Sequence, residues 1–109
     1  MPKRLEISEN EYYILNALVR EPLYGYAIRK EVERITDGKK KLSLATIYDA
    51  LHRLSQEQLI ERNGDEQVEG RTRRSYRITA AGKQALQERY STIEMLQRIR
   101  QLQVAEGGI

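Results

Sequence analysis

Ser43-Leu44-Ala45-Thr46-Ile47-Tyr48-Asp49-Ala50-Leu51-His52-Arg53-Leu54 is the stretch whose reading decides the fold. Leu44, Ile47, Leu51 and Leu54 recur at helical spacing and form one apolar stripe, and Ser43 offers a side-chain oxygen to the first free amides. The pattern predicts a helix from Ser43 to about Gln56. With the stripe buried, a rotation of about 100° per residue turns Ala45, Thr46, Asp49, His52, Arg53 and Gln56 to the opposite side. Small and hydrogen-bonding side chains near the helix start allow close approach to a major groove, and Arg53 can serve guanine or phosphate. A solvated helix face has polar residues as well, and Tyr48, on the flank, suits either a core position or a phosphate-bonding hydroxyl.

Upstream lie two further helices. Ser8-Glu9-Asn10-Glu11 has the form of a capping box, and Ile14, Leu15, Leu18 and Val19 follow on one face, with Pro22 setting an end near Arg20. Tyr24, Ile28, Val32 and Ile35 make the stripe of a second helix that stops at Thr36-Asp37-Gly38. Downstream the period changes. Residues 59–63 and 73–78 are short extended segments around a polar stretch from Gly64 to Gly70, which predicts a β-hairpin with a long loop. Thr79 then caps a helix expected to reach about Ala105, with Leu86, Tyr90, Ile93, Leu96, Ile99 and Leu102 on one side and Gly107-Gly108 at its end.

The order helix, helix, helix, hairpin, helix is that of a winged helix-turn-helix with an added C-terminal helix. The expected class is mainly α with a small β-hairpin. It divides into a winged-helix unit over residues 1–78 and a dimerisation helix over 79–109, together one compact body. The last helix, about 39 Å long at 1.5 Å per residue, exceeds what the preceding unit can cover. Its stripe therefore calls for a second chain, and Leu86, Tyr90, Ile93, Leu96, Ile99 and Leu102 are the dimerisation residues expected. A two-fold dimer would present two such helices to a pseudo-palindromic site.

Charge sharpens this reading. The 109 residues hold 19 Lys and Arg against 16 Asp and Glu, a formal net charge of +3, so only its placement is informative. Arg71, Arg73, Arg74 and Arg77 lie close together without an intervening acid, while Asp65, Glu66 and Glu69 gather earlier, toward the expected hairpin tip. Strand alternation puts Tyr76 and Ile78 toward the core and Arg73 and Arg77 outward. Arg71 and Arg73 are then best placed to straddle phosphates or enter a minor groove, with Arg74 beside them; a strand pairing of Arg77 with Glu61 would instead be a surface ion pair. Lys39, Lys40 and Lys41 precede the Ser43 cap, where they either meet phosphate or form a solvated loop. The DNA-contacting set expected is Lys40, Lys41, Ser43, Ala45, Thr46, Tyr48, Asp49, His52, Arg53, Arg71, Arg73 and Arg74.

No cysteine is present, which excludes disulfides and thiolate chemistry and suits a reducing cytoplasm. Met1–Glu6 lacks the apolar run of a secretory leader, and no stretch approaches the ~20 apolar residues of a membrane span. One histidine and no phosphate-cradling glycine loop leave no nucleophile-base pair or metal cluster, so neither an enzyme nor a cofactor or metal protein is expected. An adaptor that docks proteins through the same fold is the rival reading, and the arginines of the hairpin speak against it.

The chain resembles the PadR-like transcriptional regulators in their short form. The resemblance runs from about Tyr12 to Tyr90 and is carried by Ile14-Leu15 with Leu18, Pro22-Leu23-Tyr24-Gly25-Tyr26-Ala27-Ile28, Leu42-Ser43, Thr46-Ile47-Tyr48-Asp49-Ala50-Leu51, Arg53-Leu54, Leu59-Ile60, Gly70-Arg71, Arg73-Arg74-Ser75-Tyr76-Arg77-Ile78-Thr79 and Gly82. It implies a homodimeric cytoplasmic repressor whose third helix enters the major groove, whose wing meets the backbone, and which often loses DNA affinity on binding a small hydrophobic or phenolic compound. Tyr48 and Thr46 then belong to the recognition helix, Arg73 and Arg74 to the wing, and Tyr26 to the second helix near the dimer side. Gln58 stands where the family usually has glycine, so the turn there either accepts a left-handed non-glycine residue or is built differently. Asp49 stands where proline is frequent, and its carboxylate either accepts from a cytosine amine or repels phosphate. Tyr12, Tyr13, Tyr90 and Met95 are the candidate effector pocket, although tyrosine and methionine at helical spacing also serve as packing.

Overall fold

The computed structural model describes residues 7–108, so the reading of Met1–Glu6 lies outside the described residues. Helix α1 spans Glu9–Ala17, β1 Leu23–Tyr24, α2 Gly25–Ile35, α3 Leu44–Gln56, β2 Ile60–Val68, β3 Arg71–Ile78 and α4 Ala80–Ala105. The three strands form one antiparallel sheet in the order β1-β3-β2. This is a mainly α winged helix with a long terminal helix.

The helices start where local chemistry satisfies their free amides. At α1 both halves of the capping box form: Glu11 N donates to Ser8 Oγ at 3.2 Å and Ser8 N to Glu11 Oε1 at 2.8 Å. Ser43 Oγ accepts from Thr46 N at 3.1 Å and Thr79 Oγ1 from Gly82 N at 3.1 Å. Ends are set with equal economy. Gly38, at φ +76°, donates its N–H to Glu33 O at 2.7 Å and closes α2. After α3, Gln58 takes the left-handed conformation at φ +61° and Leu59 N reaches back to Leu54 O at 3.0 Å. The turn thus keeps its helix-closing geometry with glutamine in place of glycine, at a strain of about 1–2 kcal/mol.

Helix α1 ends at Ala17, a turn earlier than the predicted Arg20, and Val19 is 48% exposed rather than part of the buried stripe. The predicted start of α2 at Tyr24 moves to Gly25, because Leu23 and Tyr24 pair with Tyr76 and Ser75 of β3. The stretch from Gly64 to Gly70 is not a long loop. Strand β2 runs on to Val68, and only Glu69-Gly70, at φ +53° and +76°, connects it to β3. Two successive positive φ values give the tight turn whose twist matches a hairpin. The register slips between Arg62↔Tyr76 and Gly64↔Ser75, which makes Asn63 the extra residue of a bulge.

Ile14, Leu15 and Leu18 of the α1 segment, Ile28 and Val32 of α2, Ile47, Leu51 and Leu54 of α3, Ile60 of β2 and Leu86 of α4 meet in one buried cluster. Tyr76 and Ile78 pack against it from β3. Gly82 places the start of α4: a Cβ there would stand 2.2 Å from Leu59 O, so only glycine lets the helix sit against the end of the α3 turn. No helix of the described residues is long and apolar enough to cross a membrane.

Candidate nucleic-acid interface

Helix α3 is fixed in azimuth by Ile47, Ala50, Leu51 and Leu54, all buried. Ala45, Asp49, His52, Arg53 and Gln56 are exposed opposite them, and Thr46 is half-buried. Ser43 Oγ, besides capping the helix, donates to Thr46 Oγ1 at 2.9 Å, which orients the threonine hydroxyl at the helix start. Tyr48 lies over the start of α2. A Cβ at Gly25 would come 2.6 Å from Tyr48 Oη, so glycine is required there for the ring to rest on the α2 backbone. The phenol remains 47% exposed.

A bridge that sequence reasoning missed joins α1 to this face. Glu11 is 1% exposed, and its Oε2 accepts from Arg53 Nε at 3.1 Å. Arg53 Nη1 in turn donates to Asp49 Oδ2 at 2.6 Å. The hydrogen bonds to Asp49 and then to Glu11 raise the Arg53 pKa above the ordinary arginine value. The signal was present: Glu11, Ile14, Leu15 and Leu18 fall at i, i+3, i+4 and i+7, so the core stripe of α1 carries a carboxylate that needs a cationic partner.

The wing divides its arginines. Glu61 lies opposite Arg77 and accepts from its Nε at 2.6 Å, so Arg77 forms the surface ion pair. The expected grouping of acids at a loop tip gives way to cross-strand neighbours, with Asp65 opposite Arg74 and Glu66 opposite Arg73. Arg73, expected outward, is half-buried; its guanidinium sits 5.9 Å from the Tyr24 ring, and its Nε is buried without a partner among the described residues. The third strand is the cause, since β1 sets Tyr24 beside this side of β3. Arg71 and Arg74 are exposed. Arg74 and Arg62 form one wall of an open groove of about 840 Å³ whose other wall is Tyr48, His52 and Ser55 of α3.

Lys41 and Ser43 are exposed next to the start of α3. Lys40 is turned toward α1, with Nζ 3.7 Å from Glu9 Oε1 and 5.7 Å from the Tyr13 ring centre. The Tyr13 hydroxyl donates to Glu9 at 2.7 Å; this bond and then the Lys40 charge lower the Glu9 pKa, and the same bond raises that of Tyr13. Tyr12 and Tyr13 pack against the core, Arg89 covers the Tyr12 ring at 4.7 Å, and the Tyr90 hydroxyl bonds Asn16 Oδ1. Met95, farther along α4, is 46% exposed. Of the four residues of the candidate effector pocket, Tyr12 and Tyr90 lie at the seam between α1 and α4, Tyr13 is engaged by Glu9 and Lys40, and Met95 stands apart on the exposed part of α4. Of the dimerisation set only Leu86 is buried; Tyr90, Ile93, Leu96, Ile99 and Leu102 are 41–57% exposed.

Residues 14–88 match the transcriptional regulator PadR-like family. The chain belongs to that family. Members are transcription regulators and not enzymes, which agrees with the sequence reading. An uncharacterised protein of Lysinibacillus sphaericus is 33% identical over 75 residues, 69% of each chain. A transcriptional regulator from Clostridium thermocellum superposes with a TM-score of 0.70 at 26% identity, covering 84% of this chain and 88% of that one. Bacillus subtilis PadR, solved in complex with operator DNA, gives a TM-score of 0.66 at 25% identity over 76% of this chain and 47% of its own. The α1–α3 core and the wing of this PadR-like chain fall inside or beside the matched span, and the distal turns of α4 lie beyond it.

Proposed function

We propose that this PadR-like chain binds duplex DNA as a cytoplasmic homodimer and represses transcription at operators of two-fold symmetry. Helix α3 reads base edges in the major groove and the wing follows the adjacent backbone. One observation carries this reading: the groove between α3 and the wing sets Tyr48 and His52 opposite Arg62 and Arg74, beside the exposed Ala45 and Asp49. Lys41 and Ser43 extend that surface at the start of α3, and Arg71 extends it at the hairpin end. Lys40, Arg53 and Arg73 support it from within, through Glu9, Glu11 and Tyr24. The operator complex of the Bacillus subtilis relative supports the same assignment.

Dimerisation follows from α4. Its apolar residues from Tyr90 onward are exposed in a single chain, and pairing with a second α4 would bury them and space two α3 helices for half-sites about 34 Å apart or a multiple of that. Residues 79–109 then act as the dimerisation helix of the winged unit 1–78. Release by a small hydrophobic effector belongs to the same reading: Tyr12 and Tyr90 lie at the α1–α4 seam, and Met95 is exposed farther along the helix that dimerisation would cover. A phenolic compound that binds there should lower DNA affinity in proportion to its occupancy.

Fluorescence anisotropy on labelled duplexes across a salt series tests the central assignment. Affinity should fall steeply with salt, and Arg71→Ala with Arg74→Ala should weaken binding to every duplex and reduce the slope by about 0.9 for each lost phosphate contact. Thr46→Ala should instead reorder preference among sequences. Binding to a protein partner that is indifferent to competitor DNA, with no affinity for duplexes, would support the adaptor reading instead.

A further inference from the structure

The bridge Glu11–Arg53–Asp49 runs from the buried side of α1 to the exposed side of α3, and nothing in the fold requires it to end there. Asp49 is 67% exposed at its side chain, its Oδ2 is held by Arg53 Nη1 at 2.6 Å, and Arg53 is itself anchored through Nε to a carboxylate that is 1% exposed. Among the described residues Asp49 Oδ1 carries no hydrogen bond. A planar guanidinium that is gripped at Nε cannot swing freely, so it holds the aspartate in one rotamer.

We propose that Asp49 is a specificity-determining residue that accepts a hydrogen bond from the exocyclic amine of cytosine at one position in each half-site, and that Glu11 is a positioning residue acting on it through Arg53. The proposal rests on the DNA-binding reading of α3 and the wing. A bare carboxylate facing duplex DNA is repelled by phosphate; the 2.6 Å pair with Arg53 offsets that charge and leaves acceptor capacity on Oδ1. In the major groove cytosine offers an amine donor, guanine offers only acceptors, thymine an acceptor and a methyl group, and adenine an acceptor beside its amine. An acceptor-only side chain fits the first of these best: it conflicts with guanine and thymine, and with adenine it can accept from N6 only while facing the N7 acceptor. Lysine in place of Arg53 keeps the positive charge but has no planar fork to span Glu11 and Asp49 together.

Selection of bound sequences from a random duplex pool, carried out with the full chain and with its Asp49→Asn and Arg53→Lys variants, tests this. The wild-type motif should hold one position per half-site at which cytosine is preferred by about tenfold. Asp49→Asn should move that position toward adenine, whose N6 and N7 suit an amide, and Arg53→Lys should flatten it toward equal base use. Glu11→Gln, which keeps an acceptor for Arg53 Nε, should retain more of the preference than Glu11→Ala, at a Tm matched by choice of temperature. A wild-type motif that Asp49→Asn and Arg53→Lys leave unaltered overturns this proposal alone. A wild-type pool without any motif overturns it together with the DNA-binding reading beneath it.

Discussion

Helices α3 and α4 are both amphipathic, and their apolar faces end differently. In α3, Ile47, Ala50, Leu51 and Leu54 are at most 1% exposed, covered by α1, α2 and the sheet. In α4 the first turns are covered at Gly82 and Leu86, and from Tyr90 on the large apolar side chains are 41–57% exposed. The same sequence rule thus marks residues that need cover without saying what supplies it. For α3 the cover is this chain, and its polar side is left as a working surface. For α4 the cover we propose is a second copy.

Breaking the α3 side should have the largest effect. Leu51→Ala removes a buried side chain from the centre of the core and should lower stability by about 2–5 kcal/mol, read as a shift of the denaturant midpoint with the slope preserved. The α4 side should respond in association and not in folding. Leu96→Asp with Ile99→Asp should weaken the dimer by about a hundredfold, ~3 kcal/mol, measured by sedimentation. Helical circular dichroism at equal protein concentration should change little, because those side chains touch no core residue of their own chain.

Gly25→Ala sharpens the contrast on the α3 side. Its Cβ would meet Tyr48 Oη at 2.6 Å, so the ring must leave its seat on α2, at a cost of about 1–3 kcal/mol. Adding Tyr48→Ala should recover part of that loss in a double-mutant cycle, whereas Tyr26→Ala should not.

Much of the fold was legible because it is locally encoded. The caps at Ser8, Ser43 and Thr79, the stop at Gly38 and the stripes of α1, α3 and α4 depend on residues within a turn or two of one another. Strand β1 was not legible, since two residues give no alternation and their partner, β3, lies about fifty positions downstream. The polar half of β2 was missed for a related reason: residues 61–67 are exposed throughout, so no apolar period marks a strand that is held by its hairpin partner. At the site, the exposed face of α3 could be read from its period. The burial of Arg73 against Tyr24 could not, because it depends on β1, and the Glu11–Arg53 pair joins positions 42 apart. Glu11 on the core stripe of α1 was the one local hint.

The smallest effect expected is electrostatic. Glu9, through Tyr13 and then Lys40, and Glu31, through its hydrogen bonds to Arg34, have pKa values below the usual 4.5. A lowered folded-state value means that their contribution is complete above pH 4.5 and is lost as pH falls through the folded value. Tm measured from neutral pH down to about pH 3 should therefore decline, and Glu31→Gln should make the decline slightly shallower. Both pairs are solvent-exposed, and added salt should shrink the difference.

The most direct test of a two-fold DNA-binding dimer is the mass of the complex formed on a duplex carrying a selected two-fold site, by native mass spectrometry or sedimentation at low salt. Two chains on one duplex are expected, with Arg71→Ala and Arg74→Ala reducing the bound fraction and Leu96→Asp with Ile99→Asp reducing the stoichiometry. A single chain in solution at micromolar concentration, with duplex migrating unbound beside it, would contradict both the dimer and its partner.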